Sequence, residues 1–139
     1  MALRSTRHKL HAVQPSPAND TIEPAVIVIA HGSRSIEAND AHRVTCRELA
    51  EQTGTPVTPA VLELAEPSWT TAVDALAAAG IRRGRVLPLF LYPGRHMQRD
   101  IPALVAEAAD AHPEVEIELL PLFGSDPGLI HLLAAQVQR

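Results

Sequence analysis

The chain has 139 residues, 46% apolar, 20% charged and 3% aromatic, with 16 acids against 12 bases for a formal net charge of −4. That is enough chain for one self-supporting core and too little for two ordinary domains, and its acidic balance excludes a general nucleic-acid binder, which needs a basic face. A single cysteine, Cys46, excludes an internal disulfide and fits a reducing compartment, so the cytoplasm is the expected location; no apolar run reaches the ~18 residues of a membrane helix.

Residues 1–18 carry Arg4, Arg7 and Lys9 and no acid, a composition with some transit-peptide character but no apolar core. Residues 14–24 (QPSPANDTIEP) read as a polar linker. Residues 1–23 are therefore expected to be a disordered leader and 24–139 the folded domain. Ala25–Ala30 (AVIVIA) is a β-branched run with no polar break, which predicts a strand covered on both faces. Ile36–Thr53 is a predicted helix with Ser35 as N-cap and Gly54 just past its end. Val57–Leu62 is a second strand, and Pro59 inside it demands an edge position, because proline cannot donate to a central ladder.

Ser68 caps a helix whose apolar residues Trp69, Ala72, Val73, Leu76 and Ala77 form one stripe, closed by Gly80. Arg85–Leu91 (RVLPLFL) is the third strand. Asp100 is the predicted cap of a helix carrying Ile101, Leu104, Val105, Ala108 and Ala109, stopped at His112-Pro113. Val115–Leu120 alternates as a strand near the other edge does, and Leu129–Val137 is the last helix. Strands alternating with helices predict an α/β domain with a four-stranded parallel sheet and, through right-handed crossovers, helices on both faces.

Ligands of open parallel sheets bind beyond the carboxyl ends of the strands. There the chain carries His31-Gly32-Ser33-Arg34, then Glu63 with Glu66-Pro67-Ser68, then Pro93-Gly94-Arg95-His96, then Leu122-Phe123-Gly124-Ser125. Each has an ordinary reading alone. His31 suits a core histidine, Gly32-Ser33 a tight turn or a weak phosphate-binding turn, His96 an exposed loop and Glu63 a solvated strand end. Taken together, His31, Glu63 and His96 recur once per βα unit. Imidazole nitrogen and carboxylate oxygen suit Co²⁺, Ni²⁺ or Fe²⁺, and both groups accept protons. Arg34, Arg95 and Arg99 flank the same rim, where arginine forks would hold carboxylates or phosphates of a polyanionic substrate. The other histidines, His8, His11, His42, His112 and His131, are expected at the surface.

In this order and spacing, Ala30-His31-Gly32-Ser33-Arg34, Leu62-Glu63-Leu64-Ala65-Glu66-Pro67-Ser68, Pro88-Leu89-Phe90-Leu91, Gly94-Arg95-His96 and Asp100-Ile101-Pro102 resemble the short class II tetrapyrrole chelatases. These are the sirohydrochlorin cobalto-, nickelo- and ferrochelatases of cobalamin and siroheme biosynthesis. The resemblance covers about residues 25–135. It implies a flavodoxin-like chelatase lobe of strand order 2-1-3-4. It implies metal-binding and catalytic roles for His31 and His96 and an acidic site residue at Glu63. Ser33, Arg34, Arg95 and Arg99 are the expected substrate contacts from their place on the rim. The resemblance also implies a homodimer with a cleft between subunits. Metal insertion needs no organic cofactor, and charge and hydropathy give no expectation of nucleic-acid or membrane partners. The leader and a shortened C-terminal end depart from the pattern. The alternative from another class is a protein that binds metal or tetrapyrrole for delivery without turnover. A histidine phosphatase ranks lower, because Ala30 stands where its motif has arginine.

Overall fold

Four parallel strands form one sheet in the order β2-β1-β3-β4: β1 (Ala25–Ala30), β2 (Val57–Val61), β3 (Arg83–Pro88) and β4 (Glu116–Leu119). The helices are α1 (Ile36–Thr53), α2 (Trp69–Ala78), α3 (Arg95–Ala111) and α4 (Gly128–Val137), with a 3-10 turn at Phe123–Ser125. The structure, a computed structural model, describes residues 24–139 without the His96 side chain. The expected leader at 1–23, with His8 and His11, lies outside the described residues. No described helix is long and apolar enough to cross a membrane.

The edge position expected from Pro59 is observed. Pro56 C=O accepts from Val26 and Leu62 N–H donates to Ala30, whereas Val61 N–H turns away to Pro67. Backbone groups alternate sides along a strand, so the ring nitrogen of Pro59 falls on the open edge, where no donor is needed. β1 is central, and Val28 and Ile29 are each 1% exposed.

On one face, Ile27, Ile29 and Val86 of the sheet pack with Trp69, Ala72, Val73 and Leu76 of α2 and with Ile101 and Ala108 of α3. The apolar stripe of α2 is thus the stripe the sequence predicts, and each large side chain in it contributes roughly 1.5–3 kcal/mol by burial. Trp69 also donates its indole N–H to Leu104 C=O at 3.2 Å, tying α2 to α3. On the opposite face α1 packs on β2. There β3 and β4 show Arg83–Glu116 at 4.0 Å and Arg85–Glu118 at 3.5 Å, an exposed pair of cross-strand ion pairs.

Serine caps start α1 and α2 as expected. Ser35 Oγ accepts from Ala38 N–H and Ser68 Oγ from Thr71 N–H, each at 3.2 Å, and each cap contributes about 1 kcal/mol. Two elements differ from expectation by more than one residue at an end. β3 runs from Arg83 to Pro88 rather than from Arg85 to Leu91. α3 begins at Arg95 rather than after Asp100, with Gly94 in extended conformation as its N-cap. Pro102 lies inside this helix, and its side chain is exposed. Asp100 reads locally as a cap, but the tertiary contacts of Met97 and Ile101 extend the helix N-terminally past it.

Candidate functional site

Pairing of β1 with β2 continues past the regular strands: Leu62 N–H donates to Ala30 C=O at 3.0 Å and Glu63 N–H to His31 C=O at 3.1 Å. Between them lies Gly32, at φ +90°, where a Cβ would fall 1.9 Å from the Glu63 carbonyl oxygen. Only glycine tolerates both that dihedral and that approach. His31 and Glu63 are therefore held side by side at the carboxyl edge of the sheet. The His31 ring meets Phe90 edge-on, with centroids 5.0 Å apart and planes at 83°. Phe90 is fixed in turn, because its C=O accepts from Gly124 N–H at 2.9 Å. A Cβ on Gly124 would overlap the Leu91 carbonyl.

A groove of about 580 Å³ opens beside this pair, lined by His31, Leu62 and Glu63 on one wall and by Met97, Asp100, Ala103, Leu104 and Glu107 of α3 on the other. The α3 residues fall at the three- and four-residue spacing of a single helical face. Among the described residues, one imidazole and three carboxylates line the groove, and no lysine or arginine does. Such a lining attracts a cation and offers proton acceptors. Among the described residues, no three His, Cys, Asp or Glu side chains converge as a ready-made metal cage.

Asp100 is the main correction at the site: expected as a helix cap, it lies in the second turn of α3 and faces the groove. Glu107 was not anticipated. The signal for both was their seven-residue separation, two helical turns, which the misplaced helix start obscured. His96, expected in a loop, is the second residue of α3; its side chain lies outside the described residues.

Ser33 is engaged in the turn after β1. Its N–H donates to Asn39 Oδ1 at 3.1 Å, its C=O accepts from Asn39 Nδ2 at 2.8 Å, and its Oγ accepts from Ser35 N–H at 3.0 Å. Arg34, Arg95 and Arg99 are exposed and none lines the groove. Arg95 and Arg99 are one turn apart on α3 and share a face.

Two histidines expected at the surface are engaged instead. His42 is half-buried on α1 with its Nε2 3.1 Å from Val28 C=O, and burial lowers its pKa. His112 Nε2 lies 2.8 Å from Asp74 and its Nδ1 3.6 Å from Glu114. The Asp74 hydrogen bond is the main cause of its raised pKa. His131 is exposed, as expected. Cys46 is buried, which pushes its thiol up to about 11 and leaves it inert as a nucleophile or ligand.

Residues 25–139 match the family model described as CbiX. The chain is 44% identical over 85 residues to the chloroplastic sirohydrochlorin ferrochelatase of Arabidopsis thaliana, covering 60% of this chain and 38% of that protein. It is 26% identical over 115 residues to the sirohydrochlorin cobaltochelatase of Priestia megaterium, covering 83% and 38%. These alignments span well under half of either relative. Among solved structures, a putative cobalamin (vitamin B12) biosynthesis CbiX protein of Marinobacter aquaeolei VT8 superimposes with a TM-score of 0.75 at 30% identity, over 84% of this chain and 95% of that one. The sirohydrochlorin chelatase SirB of Bacillus subtilis subspecies spizizenii, solved in complex with cobalt, gives 0.75 at 26% identity, over 84% of this chain and 50% of that one.

Proposed function

The chain belongs to the CbiX family, and from that premise we propose that it is a chelatase, a metal-inserting lyase acting on sirohydrochlorin or a related polycarboxylate tetrapyrrole, with Co²⁺, Ni²⁺ or Fe²⁺ as the second substrate. The observation that supports this best is the adjacent pair His31 and Glu63 on an acid-lined groove at the sheet's carboxyl edge.

Insertion removes two pyrrole N–H protons and strips water from the metal. His31, its ring oriented by Phe90, has a nitrogen lone pair for the metal or for a pyrrole proton. His96 is its partner in these two tasks. Glu63 balances the metal's charge, ligates it or passes the proton on. Arg34, Arg95 and Arg99, with Ser33, hold the peripheral carboxylates. The groove chemistry separates the two substrates: carboxylates gather the cation, and the arginines outside the groove gather the polyanion. Release of protons to nearby bases requires no organic cofactor.

A flat macrocycle needs a wall on each face, and one lobe supplies one. We therefore assign the second wall to a second copy, in a homodimer in the cytoplasm. Leu91 and Tyr92 beside the rim are 51% and 79% exposed and suit that contact. Met97, close by at the start of α3, is 9% exposed and belongs to the protein's own core.

The test is anaerobic incubation of the purified protein with sirohydrochlorin and each metal in turn, followed by absorbance. Many turnovers per chain with at least one metal are expected. Uptake that stops at one equivalent per site would replace this reading with a delivery role.

A further inference from the structure

The two loops that carry His31 and Glu63 are both fastened to the same helix, at positions one turn apart. Asn39 and Arg43 lie four residues apart on α1, so their side chains emerge on one face. The Asn39 amide grips both backbone groups of Ser33, accepting its N–H at 3.1 Å and donating to its C=O at 2.8 Å. That two-bond match fixes the chain immediately after His31 and Gly32. Arg43 reaches in the other direction. Its Nη2 donates to Glu66 C=O at 2.6 Å, in the loop that follows Glu63, and its Nη1 is held by Asp40 at 2.9 Å. Between Glu63 and the start of α2 that loop bears an exposed leucine, Leu64, at φ +73°.

We propose that Asn39 and Arg43 are positioning residues, which set the His31 turn and the Glu63 loop against each other at the separation that metallation requires. The inference rests on the reading of His31 and Glu63 given above. Neither side chain lines the groove, and each is engaged by partners within the protein, Asn39 by Ser33 and Arg43 by Glu66 and Asp40. Neither belongs to the core cluster, and the Arg43 side chain is 43% exposed. The exposed Arg43 contacts add little to global stability, and the part-buried Asn39 pair contributes about 1 kcal/mol. What they restrict is the freedom of two loops that the Leu62–Ala30 and Glu63–His31 backbone bonds join at their bases. A displacement of about 1 Å between reacting groups can cost on the order of a hundredfold in rate.

The experiment compares Asn39→Ala, Arg43→Gln, Arg43→Lys and Glu63→Gln by steady-state metallation and thermal melting. For Asn39→Ala and Arg43→Gln, kcat is expected to fall about tenfold, with KM for the tetrapyrrole changed by less than about twofold. Melting temperatures should stay within about 4 °C of the parent for Arg43→Gln and within about 8 °C for Asn39→Ala. Arg43→Lys, which keeps a charged donor within reach of the Glu66 carbonyl and of Asp40, should recover most of the lost kcat. An unchanged kcat in both Asn39→Ala and Arg43→Gln, or a loss that appears only as raised KM, overturns the proposal, as does an Arg43→Lys enzyme no better than Arg43→Gln. Should either parent variant fail to fold, the other and the lysine rescue decide the question. Glu63→Gln separates the two levels of argument. If it retains full turnover, the role of Glu63 and this inference fall together. If it loses turnover while the α1 variants keep theirs, only the inference falls.

Discussion

Gly32 couples the geometry of the site to the stability of the fold. A methyl group there would meet the Glu63 carbonyl oxygen at 1.9 Å and force a left-handed dihedral on alanine. The obstruction is backbone, so no side-chain rotation relieves it. Gly32→Ala is expected to cost about 2 kcal/mol or more in urea denaturation and to separate His31 from Glu63, with loss of metallation. The histidines divide by environment. His31→Ala should abolish metallation while leaving the urea midpoint nearly unchanged, since the residue is exposed and its ring meets Phe90 edge-on. Replacement of the exposed His131 should alter neither quantity. His42→Ala should cost about 1 kcal/mol of stability, because it removes a half-buried hydrogen bond to β1. For the arginines, Arg34→Ala or Arg95→Ala should weaken tetrapyrrole binding more than metal binding, by a margin that shrinks as salt rises, because both side chains are exposed. Binding titrations at low and high ionic strength provide the check.

At the scale of elements, two histidines tie helices to their surroundings with opposite pH dependence. His112, just past the end of α3, bonds to Asp74 of α2, and that contact raises its pKa above the ordinary 6.5. The folded state therefore holds the proton more tightly than the unfolded state does. The resulting stabilisation is complete below 6.5 and is lost as pH rises through the raised folded value. His42 is the reverse case. Burial lowers its pKa below 6.5, so the unfolded chain takes up the proton first and stability falls as pH drops from 6.5 toward the lowered folded value. Denaturant midpoints measured across this range should decline on both sides of about pH 6.5. Asp74→Asn should flatten the alkaline limb and His42→Gln the acid limb. An alkaline limb that persists in Asp74→Asn would remove His112 as its source.

For the whole molecule, the open question of assembly is concentrated in the exposed apolar residues. α4 has no buried residue, yet its Ile130, Leu132 and Val137 are 67%, 62% and 83% exposed. In the proposed dimer, Leu91 and Tyr92 at the rim are the side chains a second copy would cover. Sedimentation at working concentration should give twice the mass of one chain, and a Leu91→Ser, Tyr92→Ser double variant should shift the equilibrium toward monomer and lower turnover with it. A monomer that metallates at the full rate would show that one lobe suffices.

The order of elements was legible along the chain because each depends on local physics. The β-branched run 25–30 has no helical period, Ser35 and Ser68 are cap residues with amides to receive, and the stripe from Trp69 to Leu76 has the spacing of one helical face. Pro59 even specified an edge strand, since its missing donor is a property of one residue. His31 and Glu63 were legible for the same reason: they follow strands, and strands of a parallel sheet end on one rim. The start of α3 was not legible, because burial of Met97 and Ile101 against the sheet outweighs the local signal of Asp100. That one displacement hid Asp100 and Glu107 from the site. The engagement of His42, His112, Asn39 and Arg43 was hidden too, since each finds its partner across 6 to 38 residues of chain. Periodicity and capping report only a residue's neighbours in sequence. Which distant groups meet is decided by the packing of finished elements, and there the tertiary structure alone determines the outcome.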